Sequence, residues 1–255
     1  QYLDPDYYEN LVAGKSQEWI DVYVHGKFGR SLSGRPVHPG FDHTFHVAKT
    51  SPLVPIRHPD KPLILGFDFG LNPSCVIAQV DMQGRLVVYE AITSEGMGLV
   101  RFIREKLKPV LANRFVGYRA IAIGDPAGVQ RVQTDERSCF EVLRQEGFYA
   151  IPAFTNSLVA RIAAVDKFLS RQVDGGPGLL IDPCCTVLIN ALRGNYRYKL
   201  KSKQGEFDEK PEKNEASHIA EALQYAALHA DGASWGLQLN TGRRNIKKVS
   251  AKGWT

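Results

Sequence analysis

Two aspartates stand where apolar runs break. Asp68 ends the run in LILGFDFG (63–70), and Asp125 follows the run in RAIAIGDPAG (119–128). Taken singly, each is an ordinary turn residue ahead of glycine or proline. Taken together they imply more. If the two runs are neighbouring strands, about 4.8 Å apart, their ends carry two carboxylates side by side. Such a pair repels unless a cation lies between them. Hard divalent ions, Mg²⁺ or Mn²⁺, favour carboxylate and water oxygens. A third acid comes from KNEASHIAEALQYAAL (213–228), where Ile219, Ala222, Leu223 and Ala226 follow helical spacing. Glu215, His218 and Glu221 recur every three residues on an adjoining stripe. Alone, that stripe reads equally well as a solvated helix edge. Alanines at 216, 220 and 222 let the helix approach a sheet closely and bring Glu221 towards both aspartates. Two strand-end carboxylates and a helical one are the donor set that holds two ions about 3.5–4 Å apart and activates water against a phosphodiester.

Those residues need a scaffold, and the patterning supplies one over residues 61–232. After the strand ending at Asp68, CVIAQVD (75–81), a Gln83-Gly84 turn and RLVVYEAI (85–92) read as a hairpin. A basic helix follows over about 96–113, with Leu99, Ile103 and Leu107 on one face. The strand ending at Asp125 comes next, then a helix near 136–146, a strand over 148–153 and a helix near 157–172. A strand at 178–182, a helix near 184–193 and a polar hairpin-like stretch over 195–210 lead to the last helix, about 215–230. Three strands followed by alternating helix and strand predict an α/β domain: a mixed, five-stranded-type sheet flanked by helices.

On either side the texture changes. Residues 1–60 begin with an amphipathic stretch started by Asp4-Pro5-Asp6. From Gly26 to Pro62 they become rich in glycine and proline, which predicts an arm or linker with little regular structure. Residues 233–255 read as a flexible basic tail carrying Arg243, Arg244, Lys247, Lys248 and Lys252. The chain opens at Gln1 without a Met or a signal segment, so it reads as a fragment of a longer protein.

Composition sets the outer limits. With 44% hydrophobic and 23% charged residues in 255, the chain can bury a core and is not a disordered polyelectrolyte. Lys+Arg 32 against Asp+Glu 27 leaves +5, a modest excess that suits a polyanionic partner. No apolar run approaches membrane-spanning length. Cys75, Cys139, Cys184 and Cys185 lack metal-site spacing and read as reduced thiols of a cytoplasmic protein.

Three motifs are set aside. Gly14-Lys15-Ser16 resembles the end of a phosphate loop, but the earlier position that needs glycine is Glu9. Asp68-Phe69-Gly70 spells a kinase tripeptide without the partner motifs of a kinase. His38, His43, His46 and His58 have no regular spacing and read as solvated surface residues.

The ordered set GFDFG, IGDPAG and SHIAEALQYA, with a stretch from Cys185 to Tyr198 between the last two, resembles the C-terminal nuclease domain of the large terminase subunits of tailed bacteriophages. The resemblance spans essentially all of 61–232. In addition, YYENLVAGKSQEWIDVYVHGKFG (7–29) is similar to the segment joining their ATPase domain to the nuclease. It implies an RNase H-like fold and a metal-dependent endonuclease that cuts concatemeric viral DNA during genome packaging, using two Mg²⁺ or Mn²⁺ ions. Asp68 and Asp125 match the family's first two metal ligands, Glu221 the third, and His218 a histidine beside it. The family usually has aspartate where this chain has Glu221, which keeps Glu215 open as an alternative ligand. The implied partners are double-stranded DNA and, in the full motor, the ATPase domain, the small terminase subunit and the portal protein. The implied location is the host-cell cytoplasm at the procapsid, not a membrane or the exterior. The fragment alone is expected to be monomeric and unable to hydrolyse ATP.

Lys199, Lys201, Lys203 and Lys213, with Lys210, flank the last helix and are the expected phosphate contacts. Glu206, Asp208, Glu209 and Glu212 interleave with them, which serves solubility equally well. Three rival readings stay open: an actin-like or sugar-kinase ATPase, for which 61–232 is too short; an inactive module docking on DNA or the portal; and a resolvase or transposase of the same fold.

Overall fold

The structure is a computed structural model that describes residues 34–70, 72–130, 137–201 and 206–239, the last seven as backbone only. The amphipathic stretch, the segment 7–29, the phosphate-loop look-alike, Lys203 and the basic tail residues 243–252 lie outside the described residues.

A six-stranded sheet forms the centre. Its strands are β2 (Leu63–Asp68), β3 (Ser74–Val80), β4 (Leu86–Ile92), β5 (Ala120–Gly124), β6 (Tyr149–Pro152) and β7 (Leu179–Ile181), in the order β6-β5-β2-β3-β4-β7. Only β3 runs against the others. The expected mixed sheet flanked by helices is present, with one strand more than the five-stranded type. The sixth is the strand expected over 178–182, here Leu179–Ile181, which pairs in parallel with β4 at the sheet edge.

Both faces of the sheet are covered, and the burial of every residue in β2 follows from that. Leu63, Leu65 and Phe67 point to one side, into a core with Phe102, Ile103, Leu107, Phe140 and Leu143. Those residues come from α2 (Leu99–Phe102), the π turn Ile103–Leu107 that continues it into α3 (Lys108–Arg114), and α4 (Cys139–Gln145). Ile64 points to the other side, into a core with α5 (Leu158–Ser170), α6 (Thr186–Asn190) and α7 (Glu215–Leu239). Alternation along one strand thus feeds two separate cores, giving three layers. The last helix runs on to Leu239, nine residues past its expected end.

The segment from residue 34 is built into this body. Its Val37, Phe41 and Val47 lie in the α7-side core. β1 (Arg35–Pro36) pairs with β8 (Arg197–Tyr198) of the polar hairpin, and α1 (His43–His46) follows. Asp182, fully buried, accepts from Ser51 Oγ at 2.6 Å and Leu53 N at 2.6 Å. Gln79, also fully buried, donates to the carbonyls of Ile56 and Lys61 at 3.0 and 2.6 Å. Irregular backbone here is held by side chains that satisfy its polar groups.

His38 and His46 depart from the sequence reading: each is 2% exposed. His38 Nδ1 donates to Asp166 Oδ1 at 2.8 Å, and His46 Nε2 to the Leu169 carbonyl at 3.1 Å. Their partners lie more than 120 residues away on α5, so no local spacing announces them.

Candidate active site

Register sets the two aspartates beside each other. Phe67 pairs with Gly124 across the parallel β2–β5 ladder, so Asp68 and Asp125 are the next residues on adjacent strands. Ile64 and Ile123 precede them on the α7 side of the sheet, and the two-residue period of a strand turns the aspartates to that side too. Asp125 is fixed by its own chain: it caps the short 3₁₀ turn Pro126–Val129 by accepting from Ala127 N at 2.8 Å.

The helix facing them begins at a defined point. Asn214 accepts from Ser217 N through its side chain at 3.0 Å, and Ser217 Oγ accepts from Asn214 N at 3.2 Å. That reciprocal pair starts α7 at Glu215, where an acid also favours the positive helix end. The helix then meets β2 without a gap. A Cβ on Gly66 would stand 2.3 Å from the Ala222 carbonyl oxygen and 2.8 Å from the Ala226 Cβ. The expected close approach is therefore real, and it needs glycine on the strand as well as alanines on the helix.

Close approach brings His218 onto Asp68, with Nδ1 to Oδ2 at 2.7 Å. Gly70 makes room, since a Cβ there would stand 3.2 Å from the imidazole. The bond to Asp68 raises the His218 pKa, burial opposes it, and the charges of Asp68 and Glu221 add to it. One helical turn beyond Glu221 stands Tyr225, fully buried; burial raises its hydroxyl pKa and the charge of Asp125 raises it further. Asp68, Asp125, His218 and Tyr225 therefore form one constellation across two strands and one helix.

Glu221 is placed differently from the simplest expectation. It is 5% exposed, and both its oxygens are held by cations. Arg161 Nη1 donates to Oε2 at 3.2 Å, and Lys213 donates to Oε1. Glu215 lines a cleft of about 450 Å³ with Asn72, Ser74, Ser94, Lys106 and His218. Among the described residues no three His, Cys, Asp or Glu side chains gather around one point in a way that could hold a metal ion. Asp68 and Asp125 are the acids that share the strand ends; Glu221 and Glu215 stand on either side of His218, one behind cations and one at the cleft.

The expected phosphate contacts are largely occupied too. Lys199 pairs with Glu212 at 2.9 Å, Lys201 stands 3.7 Å from Asp208, and Lys213 holds Glu221.

Sequence reasoning missed Arg161. Its signal was present: α5 buries residues 161, 164, 165, 168 and 169, an apolar stripe on which 161 is the one charged position. Arg161 is fixed by Gln224 at 3.2 Å, the Asn156 carbonyl at 3.3 Å and the face of Tyr225 at 4.8 Å.

No family model matches the chain, and no curated protein matches it. Solved structures do. The large terminase of the thermophilic bacteriophage D6E, in complex with ADP, shares 18% identity at a TM-score of 0.56, covering 92% of this chain and 53% of that one. The P22 large terminase nuclease domain shares 12% identity at a TM-score of 0.54, covering 79% of this chain and 95% of that one. The chain thus spans about half the length of the D6E terminase and has the fold of a terminase nuclease domain.

Proposed function

We propose that the chain is a metal-dependent endonuclease of a viral DNA-packaging motor, cutting double-stranded DNA by phosphodiester hydrolysis. The observation that supports this most is the pairing of Asp68 with Asp125 at the ends of adjacent parallel strands, faced by His218, in a fold shared with the P22 terminase nuclease domain. Two carboxylates on one sheet face fit a hard divalent cation, Mg²⁺ or Mn²⁺. Asp68 and Asp125 would hold the first ion, and Glu221 or Glu215 would complete the set for a second. Bound there, the ions supply an activated water and charge stabilisation at the leaving oxygen. The chain's own part is orientation: His218 fixes the Asp68 carboxylate, and the Ala127 amide fixes that of Asp125. Duplex DNA is the substrate in this reading. The ATPase half, the small terminase subunit and the portal protein are its partners at the procapsid in the host cytoplasm.

The test is nicking and linearisation of plasmid by this chain with EDTA, Mg²⁺ or Mn²⁺, beside Asp68→Ala and Asp125→Ala. Cutting should need the metal and fall at least about 100-fold in either variant, while DNA retention on a filter is kept. Cutting that survives EDTA or Asp68→Ala overturns the reading. The cations on Glu221 favour one alternative, a catalytically silent module that docks on DNA or the portal. It predicts DNA retention without cutting under any metal.

A further inference from the structure

The two cations on Glu221 are unequal. The Arg161 side chain is 9% exposed and has three further partners in Gln224, Asn156 and Tyr225. The Lys213 side chain is 68% exposed and stands one residue before the cap of α7. Removing a buried cation strands a buried charge, whereas a cation whose head already lies largely in water regains hydration when it leaves its partner. Of the two, Lys213 is the one that can leave.

Its position gives it somewhere to go. The charges of Lys213 and Glu221 both act on His218, which bonds Asp68, so the ion pair stands one side chain from the paired aspartates. His218 also lines the cleft that runs past Glu215 and Lys106. A backbone phosphate brought over Asp68 would come within reach of the Lys213 ammonium, a point charge on a long flexible stem. A phosphate competes well for such a group because pairing with it also releases a condensed counterion.

We propose that Lys213 is a substrate-sensing positioning residue. With no nucleic acid bound it neutralises Glu221 Oε1; when a duplex docks, it transfers to a backbone phosphate and leaves that oxygen free to face the aspartate side of the site. Arg161 keeps Oε2 in both states and so holds the carboxylate in place. Cation affinity at the site then rises when DNA is present, which restricts assembly of the full carboxylate set to the substrate-bound form. This rests on the nuclease reading above.

The experiment is calorimetric titration of the 255-residue chain with Mn²⁺ alone and with a short duplex present, for the unaltered protein, Lys213→Gln, Glu221→Gln and the double variant. Duplex binding is measured against salt in parallel. Lys213→Gln should tighten Mn²⁺ binding without DNA about fivefold, the upper size of a pair whose lysine is water-exposed. It should also lower the slope of log affinity against log salt by about one phosphate contact. The double variant should bind Mn²⁺ as Glu221→Gln does, because the gain passes through that carboxylate. Unchanged Mn²⁺ affinity in Lys213→Gln, with the unaltered protein binding Mn²⁺ normally, overturns the exchange and leaves the nuclease reading standing. An unchanged salt slope likewise overturns it. Absence of Mn²⁺ binding by the unaltered protein, with duplex and without, removes the nuclease reading itself and the exchange with it.

Discussion

Glu146 and Glu221 are each held between an arginine and a lysine, and the two behave differently. Glu146, which ends α4, meets Arg104 at 2.6 Å and Lys108 at 2.6 Å, both from the continuous helix α2–α3. Glu221 meets Arg161 and Lys213. At Glu146 both cations are largely exposed, at 64% and 42%, and both come from one neighbouring helix. That clamp ties two helices together and stands at the far face of the sheet from the aspartates. At Glu221 one cation is buried and the other exposed, and the exposed one adjoins His218. The same three residue types make a strut in one place and an exchangeable cover in the other. What separates them is the burial of the arginine and the distance to the aspartates, not the chemistry of the pair.

Breaking the buried half should give the largest effect. Arg161→Met leaves Glu221 buried with only an exposed lysine and removes the Arg161 donor from Gln224. The expected loss is about 3–5 kcal/mol of unfolding free energy, whereas Lys213→Gln should cost no more than about 1 kcal/mol. Urea unfolding of the two variants compares them directly. Adding Glu221→Leu to Arg161→Met should recover most of the loss, because it removes the orphaned charge. If the two single variants are equally stable, the asymmetry of the clamp is wrong.

The depth of Glu221 depends on how closely α7 lies on β2, and Gly66→Ala tests that. The new Cβ would strike the Ala222 carbonyl, a backbone atom that cannot swing away. Overpacking of this kind costs about 1–3 kcal/mol. The helix carries His218 as well as Glu221, so plasmid cutting should fall in Gly66→Ala even where the fold persists. Stability and cutting both unchanged would mean that the helix can lift off the strand without consequence.

Much of this arrangement was legible in the residues. The two aspartates lie at the ends of apolar runs, and the helix bearing Glu215, His218 and Glu221 has an alanine-rich face, so the strands, the helix and their meeting point all follow from local pattern. What pattern could not show is pairing over long range. Arg161 reaches Glu221 across 60 residues and His38 reaches Asp166 across 128. Burial on a helix stripe marks Arg161 as needing a partner without saying which. His38 lacks even that, since proline and glycine around it erase any period. In the lysine-rich hairpin the residues show cations and acids interleaved, whereas only the fold shows which meet: Lys199 with Glu212, and Lys201 beside Asp208.

The smallest effect belongs to the exposed clamp. Its two cations hold the Glu146 carboxyl down to about 2, from an ordinary value of 4.5, with the bond to Arg104 contributing first and that to Lys108 second. A carboxylate whose pKa is depressed on folding stabilises the native state above its unfolded pKa. That contribution falls away as pH drops from about 4.5 towards 2. Other carboxylates protonate over the same range, so the readout is a difference. The gap in urea midpoint between the unaltered chain and Glu146→Gln should be present at about pH 6 and shrink progressively between about pH 4.5 and about pH 3. Because the substituted amide keeps an acceptor oxygen for Arg104, what vanishes is the charge component alone, the part that exposure of the two cations to water leaves small. A gap that persists undiminished to about pH 3 would mean that shape and hydrogen bonding, not charge, hold α4 to α2–α3. The contrast with Glu221 would then lie in packing.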